Sequence, residues 1–194
     1  MIERSGYPII AASLAAALLL APLFSPLSLF LVAFAAFTAF FFRDPEREIG
    51  EGIVSPADGK IIRLACRRID IFMSPLDCHV NRSPVSGVVK SVSFFPGRKL
   101  PAFLIRGNEC RNEITIESEF GEFRVTQVAG MFARRIVCYV KEGDKVEKGQ
   151  RIGMIRFGSR VTLEVPEGVR FVVRRGQKVK AGQTVAVYEN IQTR

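Results

Sequence analysis

Residues 7–42 carry no charged side chain. The run is too long for one signal-peptide hydrophobic region and long enough to enter a bilayer. Pro22, Ser25 and Pro26 interrupt it, so the pattern predicts a helical hairpin with arms 8–21 and 27–42. Each arm falls short of the ~20 residues of a full span, so the hairpin either crosses with tilting or thinning of the bilayer, or dips into it. After residue 42 the texture becomes short apolar runs punctuated by Gly, Pro, Asn and Asp, as in IVSPADGKIIRLA, SPVSGVVKSVSFFPG and NEITIESEFGEFRVTQVAG. No stretch there sustains a helical period and turn signals recur every ~10 residues, which predicts a mainly β fold, a sandwich or barrel, over 43–194. In MIRFGSRVTLEV, residues 154–165, bulky or β-branched residues flank Gly158-Ser159 on both sides, placing that dipeptide at a turn between strands.

Within the β part lies an internal repeat. VKEGDKVEKGQRIGMI (140–155) aligns with VRRGQKVKAGQTVAVY (173–188), matching Gly143 with Gly176, Val146 with Val179, Gly149 with Gly182 and Gln150 with Gln183. Each G-x-x-V-x-x-G-Q predicts a turn, a short strand and a second turn, with Gly supplying positive φ. The pattern resembles the hammerhead element of biotinyl and lipoyl carrier domains. In those carriers a lysine at the tip of the hairpin between the copies takes the cofactor. Here that region holds Gly158-Ser159 and no lysine, which argues against a carrier or adaptor module.

Charge and composition narrow the partners. The 194 residues carry 28 Lys and Arg against 19 Asp and Glu, a formal charge of +9, and residues 1–42 contribute only Glu3 and Arg4. The excess therefore belongs to the β part and favours anionic partners. Nucleic acid is a poor candidate, because Trp is absent, Tyr numbers three and most of the 16 Phe lie in or near apolar runs, leaving no stacking platform. Arg4 before the hairpin and Arg43 and Arg47 after it predict that both ends stay on the cytoplasmic side, with the protein at the cell membrane. The missing small-residue cleavage site near Ser25 and the second apolar arm argue against a signal peptide. Cys66, Cys78, Cys110 and Cys138 form no CxxC pair and have a single histidine beside them, so no metal site is expected and the thiols read as reduced and buried.

Three side chains could carry chemistry. His79, the only histidine, has an ordinary pKa near neutrality and sits among Asp77, Asn81, Arg82 and two Ser-Pro pairs, a setting suited to functional loops. Asp58 in SPADGKI also reads as an Asp-Gly turn, and Ser159 as half of an ordinary hairpin pair. Together Asp58, His79 and Ser159 supply an orienting acid, a base and a nucleophile.

FFRDPER, VSPADGKI, IFMSPLDCHVNRSPVSG, NECRNE (108–113) and FGSR after the repeat, in this order, resemble the short, archaeal-type class of phosphatidylserine decarboxylases and the similar archaetidylserine decarboxylases. The resemblance implies a proenzyme that cuts itself between Gly158 and Ser159, leaving a β chain of 1–158 and an α chain of 159–194 as a heterodimer. Carried over to this sequence, Asp58 orients His79, His79 takes the proton of Ser159, and Ser159 attacks the carbonyl of Gly158. The resulting ester eliminates, and residue 159 becomes a covalent pyruvoyl group, the cofactor. That carbonyl captures the serine amine of an anionic phospholipid as a Schiff base and accepts the electrons freed as carbon dioxide leaves, as pyridoxal phosphate does. The implied activity converts phosphatidylserine to phosphatidylethanolamine, with an ether-linked archaetidylserine as the alternative substrate. Arg82, Arg106 and Arg111 are candidates for holding the serine carboxylate.

Overall fold

A computed structural model describes residues 2–22, 25–98, 108–130, 135–156 and 159–189. Arg106 and Gly158 lie outside the described residues. The chain divides into two compact units, 1–46 and 47–194.

In the first unit a single 3-10 turn leads into α1 (Tyr7–Leu20), which is followed by α2 (Ser25–Phe41). Pro8 sits in the first turn of α1, where its missing N–H leaves no intrahelical bond unmade. The hydroxyls inside the helices turn back onto their own backbone, Ser13 Oγ to Ile9 O at 2.8 Å and Thr38 Oγ1 to Phe34 O at 2.8 Å. Ser28 Oγ donates to Ala17 O across the pair at 2.9 Å. The far ends also meet, since Glu3 N donates to Phe42 O at 2.8 Å and Ile2 forms an antiparallel bridge with Arg43. Leu18, Leu19, Leu29 and Phe30 remain exposed by 78, 74, 71 and 64%. With 14 and 17 residues, no helix among the described residues is long and apolar enough to cross a membrane.

The second unit is mainly β. Its strands in chain order are β1 (Ile53–Val54), β2 (Gly59–Ala65), β3 (Arg68–Met73), β4 (Val80–Arg82), β5 (Gly87–Phe95), β6 (Arg111–Ser118) and β7 (Gly121–Ala129). There follow β8 (Ile136–Cys138), β9 (Lys145–Val146), β10 (Arg151–Ile155), β11 (Ser159–Glu164), β12 (Val169–Phe171), β13 (Lys178–Val179) and β14 (Thr184–Tyr188). Among the described residues the strands close no barrel. Instead the strands make an open antiparallel sheet of eight, ordered β13-β2-β3-β11-β7-β6-β5-β9, and two sheets of three, β4-β10-β8 and β1-β14-β12. The large sheet stays open because its edge strands β9 and β13 are two residues long, too short to carry a ladder onward.

Those edge strands come from corresponding places in the repeat, as do β10 and β14, the centres of the two small sheets. Gly143, Gly149, Gly176 and Gly182 have φ of 87, 81, 90 and 90°, so the matched glycines make matched turns. The side-chain oxygens of Gln150 and Gln183 close the second turn of each copy on the N–H groups of Glu147 and Lys180, at 2.9 and 3.1 Å. One apolar core, including Ile61, Ile69, Ile71, Ile114, Phe123, Val125, Ile152, Val161, Leu163 and Val185, lies on the inward face of the large sheet.

Candidate active site

Ser159 opens β11, which is hydrogen-bonded on both edges: Ser159 stands opposite Met73 of β3 and Ala129 of β7. Alternation along the strand sends Ser159, Val161 and Leu163 to the core and Arg160, Thr162 and Glu164 to the other face. Ser159 is fully buried, and its hydroxyl donates to Met73 Sδ at 3.3 Å. A thioether is a weak acceptor, so this contact holds the hydroxyl without tying up its oxygen.

His79 immediately precedes β4 and is fully buried. Its Nδ1 lies 2.9 Å from Asp77 O. A carbonyl can only accept, so Nδ1 carries a proton, and in the neutral form of the ring the lone pair is on Nε2, the nitrogen able to act as a base. β4 pairs with β10, and Ile155 N donates to His79 O at 3.3 Å. His79 is thus tied to the strand that runs toward residue 158. Asn81, two residues on, places Nδ2 3.9 Å from the same Met73 sulfur that receives the Ser159 hydroxyl, so the histidine segment and Ser159 converge on one end of the core.

Asp58 is not hydrogen-bonded to His79. Its Oδ2 accepts from Arg47 Nη2 at 2.6 Å and its Oδ1 from Ala181 N at 2.8 Å, so both oxygens are committed elsewhere. The Asp-Gly turn ahead of β2 faces the turn before β14, and the acid closes that gap. Its connection to the histidine runs through the backbone: Pro56 O, in the same loop, accepts from Arg82 N at 2.9 Å, and Val54 N donates to Pro84 O at 3.1 Å. Of the candidate carboxylate ligands, Arg82 donates through Nη1 to Gly149 O at 2.9 Å, and Arg111 pairs through Nε with Glu113 at 2.7 Å. These bonds give both arginines structural duties.

The opposite face of β11 is ionic. Asp70, fully buried, takes Arg68 Nη2 at 3.0 Å and the Thr162 hydroxyl, and lies 3.9 Å from Arg160 Nε. Glu109 lies 3.6 Å from Arg160 Nη2. Burial pushes the Arg160 guanidinium below the ordinary arginine value, while Asp70 and Glu109 oppose that fall. A cavity of about 230 Å³ on this face is lined by Arg68, Arg111, Arg124, Arg160 and their acidic partners.

Sequence reading missed Asn81, Gln127, Asn112 and Met73 as parts of the site. The signal was present in the alternation: Asn112 shares a phase with Ile114 and Ile116, and Gln127 with Phe123 and Val125, so each amide occupies a core position of its strand. The thiols also differ from expectation. All four are free, but only Cys78 is buried; Cys66 is exposed because it sits in the two-residue turn joining β2 to β3. Among the described residues no group of three or more His, Cys, Asp or Glu could hold a metal ion.

The profile of the phosphatidylserine decarboxylase family matches residues 34–187. The chain belongs to that family. It is 65% identical to a protein of Archaeoglobus fulgidus named as an archaetidylserine decarboxylase proenzyme, over 96% of both chains. A phosphatidylserine decarboxylase proenzyme of Streptomyces coelicolor is 49% identical, over 78% of this chain and 73% of its own. One from Syntrophus aciditrophicus is 46% identical, over 76% of this chain and 78% of its own. As a family member, the chain has its buried serine and histidine at one end of a mainly β core.

Proposed function

We propose that this protein is a self-processing, pyruvoyl-dependent decarboxylase that converts phosphatidylserine to phosphatidylethanolamine with release of carbon dioxide. The observation that carries the reading is a fully buried Ser159 at the first position of a central strand, sharing one end of the core with a fully buried His79. In the first stage His79 Nε2 takes the Ser159 proton and Oγ attacks the Gly158 carbonyl carbon. The peptide C–N bond breaks as His79 passes that proton on to the nitrogen, which leaves as a free amine. The ester then loses the Ser159 α-proton and the Gly158 carboxylate, and hydrolysis of the remaining enamine releases ammonia. Asp58 serves as a positioning residue, holding the loop that supports β4 through Arg47 and Ala181 N.

The surroundings fit a pyruvoyl group at position 159. Met73 and Ala129 flank it in register, both buried, and Asn81 brings an amide donor to the Met73 sulfur. Bound there, the group supplies a carbonyl that captures the substrate amine and takes up the electrons released with carbon dioxide. A buried site excludes water and keeps protons where His79 can deliver them. The exposed leucines and phenylalanine of α1 and α2 support attachment to the membrane that holds the substrate, and the +9 charge supports attraction to anionic lipid, with the β part on the cytoplasmic side. The relatedness to the Archaeoglobus protein supports an ether-linked archaetidylserine as the alternative substrate.

Denaturing electrophoresis with intact-mass measurement tests the first stage. Wild-type protein should yield fragments ending at residue 158 and beginning at 159 with a blocked, hydrazine-reactive terminus, whereas Ser159→Ala should stay in one piece. An uncut, carbonyl-free wild type that still decarboxylates serine lipids in vesicles would overturn the reading. Carbon dioxide release from vesicles of diacyl and of ether-linked serine lipid ranks the two substrates.

A further inference from the structure

The core beneath the large sheet is hydrocarbon along most of its length and turns polar where Ser159 enters it. Asn112 of β6 and Gln127 of β7 stand opposite each other in register, both buried. Asn112 Nδ2 donates to Gln127 Oε1 at 3.0 Å, and Gln127 Nε2 donates to Asn81 Oδ1 at 2.8 Å. This relay fixes the orientation of each amide in turn and leaves Asn81 Nδ2 directed at Met73 Sδ, 3.9 Å away. Burying side-chain amides in a hydrocarbon core is unfavourable unless their bonds are made, and a thioether at that distance satisfies a primary amide poorly. The fold also makes room for the relay. A Cβ at Gly153 would lie 2.6 Å from Gln127 Nε2 and 2.5 Å from the Val137 carbonyl oxygen. An under-used donor is therefore held, at the expense of packing, against the same sulfur that holds the reacting hydroxyl.

The geometry points to Asn81, fixed by Gln127 and Asn112, as the hydrogen-bond donor that takes up the negative charge arriving on the Ser159 oxygen as the ester breaks down. This assignment rests on the self-cleavage proposed above and names a residue for its second half. Once the ester has formed, Oγ bridges Cβ of residue 159 and the Gly158 carbonyl carbon. Transfer of the α-proton to His79, neutral again once it has protonated the nitrogen, builds the Cα–Cβ double bond, the Cβ–Oγ bond breaks, and its electron pair stays on Oγ, now one of the two oxygens of the Gly158 carboxylate. That charge appears in a site shielded from water, where a fixed dipole is worth more than in solvent. Met73 holds the Asn81 N–H weakly until then, so turning it to the new anion sacrifices little.

The experiment separates the two halves of cleavage. Freshly translated full-length protein is sampled over time and each sample is treated with neutral hydroxylamine before denaturing electrophoresis and mass measurement. Hydroxylamine splits the ester to give a residue 1–158 hydroxamate and an unblocked Ser159 chain, whereas completed elimination gives a blocked one. Asn81→Asp keeps the acceptor for Gln127 and removes the donor; elimination should slow by about 100-fold, with the hydroxylamine-labile ester accumulating. Gln127→Met, which unfixes Asn81 without adding charge, should accumulate the ester to a smaller extent and decides the matter if the first variant does not fold. A folded variant that reaches the blocked terminus at the wild-type rate, with no trapped ester, overturns the assignment. Wild-type protein that never cuts refutes the self-cleavage reading itself.

Discussion

The two copies of the repeated segment, 140–155 and 173–188, build the same turns on the same glycines, yet only the first leads into the reacting bond. The difference lies in what each copy pairs with. In the first, Gly153 of β10 stands opposite Asn81 of β4; in the second, the corresponding Ala186 of β14 stands opposite Ile53 of β1. One pair admits an amide relay and the other is hydrocarbon. Two residues before Asn81 is the buried His79, and two before Ile53 is the exposed Glu51. A single backbone plan thus serves as chemistry at one end of the unit and as packing at the other, and the choice rests on a few side chains of the partner strand.

Removing the histidine breaks this contrast most severely. His79→Ala should abolish cutting while far-ultraviolet circular dichroism stays that of the wild type, and normal processing in that variant would contradict its role as base. Next comes making the first copy resemble the second. Gly153→Ala, measured in the uncut Ser159→Ala background by urea unfolding, should cost about 2 kcal/mol, because the added methyl meets both the Gln127 amide and a strand carbonyl. The reciprocal change, Ala186→Gly, should cost about 1 kcal/mol, since it removes one buried methyl and stiffens nothing. The smallest effect concerns Tyr188 at the end of the second copy. Burial, with a contribution from Glu119, pushes its hydroxyl up to about 12. A raised pKa means that the neutral phenol is favoured on folding, so its stabilising share is complete below about pH 10 and is lost as pH climbs through the folded value. Melting temperatures followed across that window should fall less steeply in Tyr188→Phe than in wild type.

The repeat was legible in the sequence because positive-φ glycines and turn-closing glutamines are local requirements that leave fixed spacings. The mainly β character was equally legible from alternation. How the strands close was not, because edge register depends on contacts between distant segments, such as Lys178 with Lys60 and Val146 with Gly87. Ser159 and His79 could be picked out by type and by neighbouring motif. The partners of Asp58 could not, since Arg47 and Ala181 are brought to it only by the fold. Gln127 in VTQVAG keeps the phase of Phe123 and Val125, so alternation marks it as inward; its amide partners, Asn112 and Asn81, are brought to it only by the fold.

β11 is held along both edges by six residue pairs to β3 and six to β7, beginning with Ser159 itself. A scission at that point therefore frees a terminus without freeing a piece. The ladder rungs would keep the newly made end stationary to within a strand's own vibration, and the two products would part only when the sheet itself is melted. The carbonyl fashioned there inherits a seat already fixed before the bond was cut.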